Sequence, residues 1–377
     1  MDTVNTFIHT FSISVNITAD ECKKLYLYRW MPLNNTYKGK KYISAIIEFC
    51  SNGLQILLRE RHDEEIRYDK KHCPYGMELV VTPYKLLNPD KCLGAITNLN
   101  DLQKALIRLQ DLLEKIESKT NILIIKRFRI ERVDITCDVI TPSDEYSREI
   151  IALLKTADLQ YGYKKSEPPE LDVKKYGWNQ GNAYLFYNRN QGVFIKIYNK
   201  KENIRGTDEY QELNSKGLLR YEMELTRKYL KKKNFLYEDN LSACLVTIME
   251  CSKELMKQHI ISNMYDLPIL SQKVLNDYLE IKYGKKEKTY SKLKNFCKMA
   301  YKCKLNNKEF SATQCRMSGK AFDNCFRKFE KIGVSPIPAD DICPYIPSAT
   351  YMLEGQTEKR FLYFAGKQTR GKELWFV

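Results

Sequence analysis

Three short segments of this 377-residue chain alternate apolar residues with charged or phenolic ones. In ERVDITCDVI, Val133, Ile135, Cys137 and Val139 alternate with Arg132, Asp134, Thr136 and Asp138. In VFIKIYNKKE, Ile195 and Ile197 alternate with Lys196, Tyr198 and Lys200. In LLRYEMELTRK, Leu219, Tyr221, Met223 and Leu225 alternate with Arg220, Glu222 and Glu224. Side chains reverse direction at each residue of a strand, so each segment as a strand has one apolar and one polar face. If the three strands are neighbours with those faces aligned, four carboxylates, several cations and one phenol meet.

Clustered carboxylates suit a hard cation such as Mg²⁺ or Mn²⁺, which prefers oxygen ligands and polarises a phosphoryl oxygen. A phenol is a poor nucleophile at neutral pH, its ordinary pKa being about 10. Lys196, Lys200 and a metal-bound phosphate would favour its anion. Attack by that oxygen on a DNA phosphodiester gives a phosphotyrosine link and a free hydroxyl end; one phosphodiester replaces another, so the strand can be resealed without ATP. The same alternation is what the solvated face of any antiparallel sheet shows, where Arg–Glu pairs across strands stabilise modestly. Tyr198 is also one of 26 tyrosines, with Tyr184 and Tyr187 close by. The residues by themselves leave both readings open.

The elements that must position these side chains are strands mixed with helices. Runs rich in β-branched and aromatic residues predict strands at Tyr42 to Phe49, Leu54 to Arg59, Met77 to Thr82, Asn121 to Arg127, Arg132 to Val139, Ala183 to Tyr187, Val193 to Tyr198 and Leu218 to Leu225. Amphipathic spacing predicts helices at Asn98 to Ser118 and Pro142 to Thr156. The fold class expected is α+β: a largely antiparallel sheet with helices on one face over residues 1–235, followed by a mainly helical domain over 236–377. Its helices are expected at Asn240 to His259, Pro268 to Tyr283, Thr289 to Cys303, Ser311 to Cys315 and Lys320 to Lys331, with a closing hairpin from Tyr351 to Glu354 and Arg360 to Phe364.

With 62 Lys+Arg against 47 Asp+Glu, the net charge of +15 favours polyanionic partners. No apolar run reaches membrane-spanning length, and MDTVNTFIHTFSISVN lacks the pattern of a signal peptide, so a cytoplasmic protein without membrane contact is expected. The twelve cysteines form no C-x-x-C pair, and those among apolar neighbours, such as Cys50 and Cys137, read as buried reduced thiols.

At the three alternating segments the chain resembles the initiator superfamily that joins the gene II proteins of filamentous phages with the replication initiation factors of rolling-circle plasmids. The matching pattern is Arg132-x-Asp134-x-x-x-Asp138, then Lys196-x-Tyr198-x-Lys200 with Glu202 beyond, then Leu219-Arg220-Tyr221-Glu222-x-x-Leu225 followed by a basic stretch. The resemblance spans roughly residues 120–235. It implies a metal-dependent enzyme that nicks and rejoins one strand at a replication origin, with Tyr198 as nucleophile, Lys200 or Lys196 on the phosphate, and Glu222 with Asp134 or Asp138 and perhaps Glu224 as ligands of Mg²⁺ or Mn²⁺. It implies origin DNA, single- and double-stranded, and the host helicase and replication machinery as partners; a homodimer stays open. The four histidines form no His-hydrophobe-His motif, so the metal site would rest on carboxylates.

Other segments offer DNA contacts. Ten lysines between Lys282 and Lys308, Lys292 and Lys298 among them, face a single acid, Glu287, and are interleaved with Tyr283, Tyr290, Phe296 and Tyr301. Lysines that neutralise phosphates release counterions, and aromatics stack on single-strand bases, although a solvated helix with core aromatics has the same pattern. FSATQCRMSGKAFDNCFRKFEKIGV could form a helix-turn-helix presenting Lys320, Asp323, Asn324 and Arg327, or a plain helical hairpin. Arg132, Arg220 and Arg227 are candidate phosphate contacts beside the site. Two other functions fit the same features: a non-catalytic, sequence-specific replicon regulator acting through the helical part, and a mobilisation relaxase or transposase with the same tyrosine chemistry.

Overall fold

The computed structural model describes residues 3–25, 30–37, 40–46, 53–60, 73, 75–91, 93–157, 159–167, 181–236, 240–263 and 266–354. The fold is α+β, built on a ten-stranded sheet in which every pairing is antiparallel. Its strands are β1 (Thr3–Ile17), β2 (Trp30–Tyr37), β3 (Lys40–Ile46), β4 (Leu54–Glu60), β5 (Tyr75–Val81), β6 (Arg129–Thr141), β7 (Lys164–Ser166), β8 (Ala183–Asn188), β9 (Val193–Asn199) and β10 (Gly217–Thr226). They lie in the order β2-β3-β4-β5-β1-β6-β10-β9-β8-β7.

Helices cover the apolar face. Those of the first part are α1 (Ala19–Leu25), α2 (Pro83–Leu87), α3 (Leu99–Thr120), α4 (Asp144–Leu154), α5 (Asp208–Leu213) and α6 (Arg227–Lys232). The helices beyond are α7 (Leu241–His259), α8 (Gln272–Tyr283), α9 (Lys288–Leu305), α10 (Gly319–Ile332) and α11 (Ala349–Glu354), with a small ladder of β11 (Ile269–Leu270) and β12 (Tyr345–Ile346). Asn98 caps α3 by accepting from the Asp101 amide, and Ser143 caps α4 through the Tyr146 amide, which fixes where each helix begins. Both α7 and α11 lie against β1 and β6, so the helical part shares the sheet's core. Within that core Val133, Ile135, Cys137, Ile195, Ile197, Leu219, Tyr221, Met223 and Leu225 are all at most 1 % exposed, which puts their polar neighbours on the opposite face.

Three expectations need correction. Asn121 to Arg127 is no strand: Asn121 takes the left-handed conformation that ends α3, and Ile122 and Ile124 are buried without pairing in a ladder. Ser311 to Cys315 forms turns rather than a helix, closed by Arg316 at a positive φ of 51°. Tyr351 to Glu354 belongs to α11, and Arg360 to Phe364 lies outside the described residues, as do Cys50 and the end of the Tyr42 to Phe49 run. The longest strand, β1, went unread. The described cysteines are free thiols, all but Cys251 buried. Among the described residues no helix is long and apolar enough to cross a membrane.

Candidate active site

The three alternating strands are consecutive in the sheet, in the order β6-β10-β9. Register places Asp134 opposite Glu224 and Glu224 opposite Phe194; Thr136 opposite Glu222 and Glu222 opposite Lys196; Asp138 opposite Arg220 and Arg220 opposite Tyr198. Directly opposed residues point to the same face about 5 Å apart, so the charged side chains form a grid.

At one corner the Tyr198 hydroxyl donates to Glu222 Oε2 at 2.9 Å, and Lys196 Nζ donates to Glu222 Oε1 at 2.6 Å. Tyr198 is only 4 % exposed and packs with Ala183 and Leu185 of β8, apart from the main core. Burial, then the Glu222 charge, pushes its phenol well above the usual tyrosine range. Burial also opposes the charge on Glu222, but Lys196, with Arg220, outweighs it and holds the carboxyl well below its usual range. The resting pair is therefore a neutral phenol bonded to a carboxylate.

At a second corner Arg220, fully buried, clamps both oxygens of Asp138 at 2.6 Å each. Such a bidentate pair is strong and geometrically defined. It holds Asp138 and Arg220 together on the polar face, and each Asp138 oxygen keeps a further lone pair. Arg220 Nη1 also lies 3.1 Å from Nε2 of His9, a residue the sequence reading missed. His9 sits at a bulge in β1 between the Ile8–Ile135 and Thr10–Asp134 pairs. Burial, then the Arg220 charge, lowers its pKa to about 3, so it is neutral. The alternation of Phe11, Ile13, Val15 and Ile17 with Ser12, Ser14 and Asn16 was the signal that could have revealed this strand.

The third corner is acidic. Asp134 and Glu224 flank Arg132, whose nitrogens lie 3.7 and 3.8 Å from them, and Lys196 reaches Glu224 at 4.0 Å. Burial, then the neighbouring Glu224 and Glu222 carboxylates, raises the Asp134 pKa to about 7 against the pull of Arg132. Its Oδ1 is buried and accepts no hydrogen bond. Among the described residues no three His, Cys, Asp or Glu side chains gather closely enough to cage a metal ion. Mg²⁺, however, commonly uses one or two carboxylates and completes its shell with water and substrate phosphate. Asp134 and Glu224 fit that mode, and the bare Oδ1 is the lone pair a cation would take.

Lys200 follows β9, half-buried, its amide bonded to the Leu218 carbonyl at 2.7 Å. Burial, then the Arg220 charge, lowers its pKa to about 8. Arg227 donates to the Ile130 carbonyl at 2.8 Å and is half-buried at the end of the site.

The distal basic segments divide differently. Lys292 and Lys298 on α9 are exposed, as are Lys320, Asp323, Asn324 and Arg327 on α10. Tyr290 and Phe296 are buried in the core, so stacking on bases is not open to them. Lys304 is buried as well, held at 2.6 Å by both Glu149 of α4 and Asp340. It joins α9 to the sheet domain rather than to DNA.

No family model matches the chain, and no curated protein matches it. A solved rolling-circle replication initiator protein from Geobacillus stearothermophilus is similar over 68% of this chain and 85% of that one, at 12% identity and a TM-score of 0.29. A likeness of that size carries no part of the functional argument.

Proposed function

We propose that the chain is a rolling-circle replication initiator that nicks and rejoins one DNA strand through Tyr198. The observation that supports this reading is the Lys196–Glu222–Tyr198 chain of hydrogen bonds at 2.6 and 2.9 Å, which gives a phenol both a proton acceptor and an adjacent cation. Glu222 takes the phenolic proton as Tyr198 Oη bonds to phosphorus. The bond from phosphorus to one deoxyribose oxygen breaks, and that oxygen leaves as a hydroxyl after gaining a proton. Reversal by a strand-end hydroxyl restores the phosphodiester and the free tyrosine. Lys196 and Lys200 neutralise the phosphate, while Arg220 fixes Asp138 and the floor beneath Tyr198. Mg²⁺ or Mn²⁺ on Asp134 and Glu224, when bound, would polarise a phosphoryl oxygen. The helical part, through α10, would assist origin binding, and host helicase and polymerase would extend the free end.

The test is incubation of the full chain with supercoiled DNA of its own replicon and Mg²⁺ or Mn²⁺. Open-circular DNA carrying covalently attached protein is the expected product, and Tyr198→Phe abolishes the attachment. An adduct that persists in Tyr198→Phe removes this residue from the mechanism. A second reading, a regulator that only binds DNA, would use the same exposed polar side chains of α10; it predicts retention of duplex with neither adduct nor metal dependence. A relaxase or transposase would share the chemistry and differ in the DNA site beside its gene.

A further inference from the structure

The lysine-rich stretch that contains α9 ends in a cavity of about 420 Å³. Met299, Lys302 and Cys303 lie at three- and four-residue steps on one face of α9 and form one of its walls. The chain then turns back, the Lys308 amide bonding to the Cys303 carbonyl at 2.9 Å, and the turns that end at Arg316 supply the other wall. The Phe310 amide bonds to the Thr156 carbonyl at 2.9 Å, and Glu309 pairs with Lys165 of β7 at 2.9 Å. The returning segment is thereby tied to the sheet domain, so the cavity is preformed.

Its lining divides by chemistry. Lys302, Lys308 and Arg316 are the charged residues, all three exposed, and no carboxylate lines the cavity with them. Glu309, next to Lys308 in the chain, is turned to Lys165 instead. Among the described residues none of the three cations takes part in an ion pair. Arg316 is held at a positive φ of 51°, a conformation that glycine or asparagine takes more easily. The backbone gives no reason for an arginine there; the cavity does. Between the cations the wall is soft and neutral, made by Met299 and by the thiols of Cys303 and Cys315, which hydrogen-bond to each other. Burial pushes the Cys315 thiol up to about 12, so it carries no charge. Gln314 adds an exposed amide with both a donor and an acceptor.

We infer that this cavity takes one nucleotide of a single DNA strand, its phosphate on Lys302, Lys308 and Arg316 and its base against Met299, Cys303 and Cys315. That the strand is DNA rests on the initiator function proposed above. Cations without carboxylates select an anion, and the arginine fork matches phosphate oxygens. A bare phosphate uses only the cations. The sulfur-lined wall and the Gln314 amide fit a planar ring with polar edges, since thioether sulfur packs favourably on aromatic rings. Tyr290 and Phe296 of α9 are buried, so this wall takes the part that stacking aromatics have elsewhere. The volume lies within the roughly 300–1,000 Å³ of small-ligand sites. A base in duplex must be unpaired and unstacked before it can enter, so a single strand is preferred.

The experiment uses the full chain and a strand of about 16 nucleotides carrying one 4-thiothymidine, alone or in duplex. Ultraviolet light is expected to join the single strand to Met299, Cys303 or Cys315, read by mass spectrometry of the cross-linked peptide, in Tyr198→Phe protein as in wild type. The duplex should give about tenfold less. Lys302→Gln and Arg316→Asn should each lower the slope of log affinity for the single strand against log salt by about 0.7. Arg316→Asn should melt no lower than wild type, because asparagine accepts the positive φ. If a variant does not fold, the cross-link decides. No cross-link at these three residues, equal yields from duplex and single strand, or unchanged slopes in both folded variants overturns the inference. So does free 4-thiothymidine monophosphate that cross-links there and is not displaced by excess strand, because the occupant is then a free nucleotide. A chain that forms the Tyr198 adduct without these cross-links loses the cavity's role alone; one that cross-links without ever forming the adduct loses the nicking function alone.

Discussion

Tyr198 donates its hydroxyl proton to the same carboxylate that Lys196 holds from the other side, Glu222, at 2.9 and 2.6 Å. The phenol is pushed up by burial and the glutamate held down by its cations, so at neutral pH the proton rests on the tyrosine. Glu222→Gln keeps an acceptor of the same shape and removes the charge that takes the proton. Single-turnover adduct formation should slow by about 10²–10⁴, the range of general-base catalysis, while DNA affinity changes less than about tenfold. A rate within about threefold of wild type means that Glu222 is not the base.

Asp134 is buried beside two other carboxylates, and its raised pKa of about 7 means that the fold works against its charge. A carboxyl with a raised folded pKa loses stability as pH climbs from its unfolded value through the folded one, so the penalty is complete above about pH 7 and absent near pH 4. Asp134→Asn, nearly isosteric and neutral, should therefore raise thermal stability at pH 8, by an order of 1–3 kcal/mol, with little gain at pH 4. It should also weaken the response of nicking to Mg²⁺ or Mn²⁺. Equal melting shifts at both pH values would count against the charge as the cause.

Lys200 carries the opposite sign. Its pKa of about 8 comes from burial and then from Arg220, so the ammonium empties just above neutrality. Where it neutralises the scissile phosphate, adduct formation falls as pH rises through about 8. Lys200→Arg stays charged to beyond pH ~12, so the falling limb moves to higher pH even if the maximal rate drops. An alkaline limb that does not move assigns it to another group.

The alternation of each site strand was legible because apolar and polar residues strictly take turns from Val133 to Val139 and apolar or aromatic and charged ones from Leu219 to Leu225. Which charges meet was not legible, since that depends on strand order and register. That Asp138 lies opposite Arg220, 82 residues away, and is clamped by it could not be read from either segment alone. His9 escaped notice because the polar face of β1 is mostly Ser, Thr and Asn, which carry no charge to draw the eye. Lys304 reads as one of ten similar lysines, and Glu149, 155 residues away, decides that it is buried.

The exposed face of α10 separates the nicking enzyme from a protein that only binds. Lys320, Asp323, Asn324 and Arg327 are spaced so that they share one side of the helix, and all four are exposed, while Cys325, Phe329 and Ile332 anchor the other side. Turns from Ser311 to Cys315 replace the first helix of a helix-turn-helix, so α10 has no such partner to set it across a groove. In the proposed arrangement Lys320 and Arg327 would act on phosphates. Lys320→Ala with Arg327→Ala should weaken duplex binding across all sequences and lower the salt slope by about two, because each phosphate contact releases close to one counterion. Adduct formation on a short single-stranded oligonucleotide, which needs only the β6-β10-β9 face, should be unchanged. If the double substitution leaves duplex binding intact, α10 is not a DNA surface; if it removes sequence preference while nothing at Tyr198 ever becomes attached to DNA, the regulator without catalysis is the correct reading.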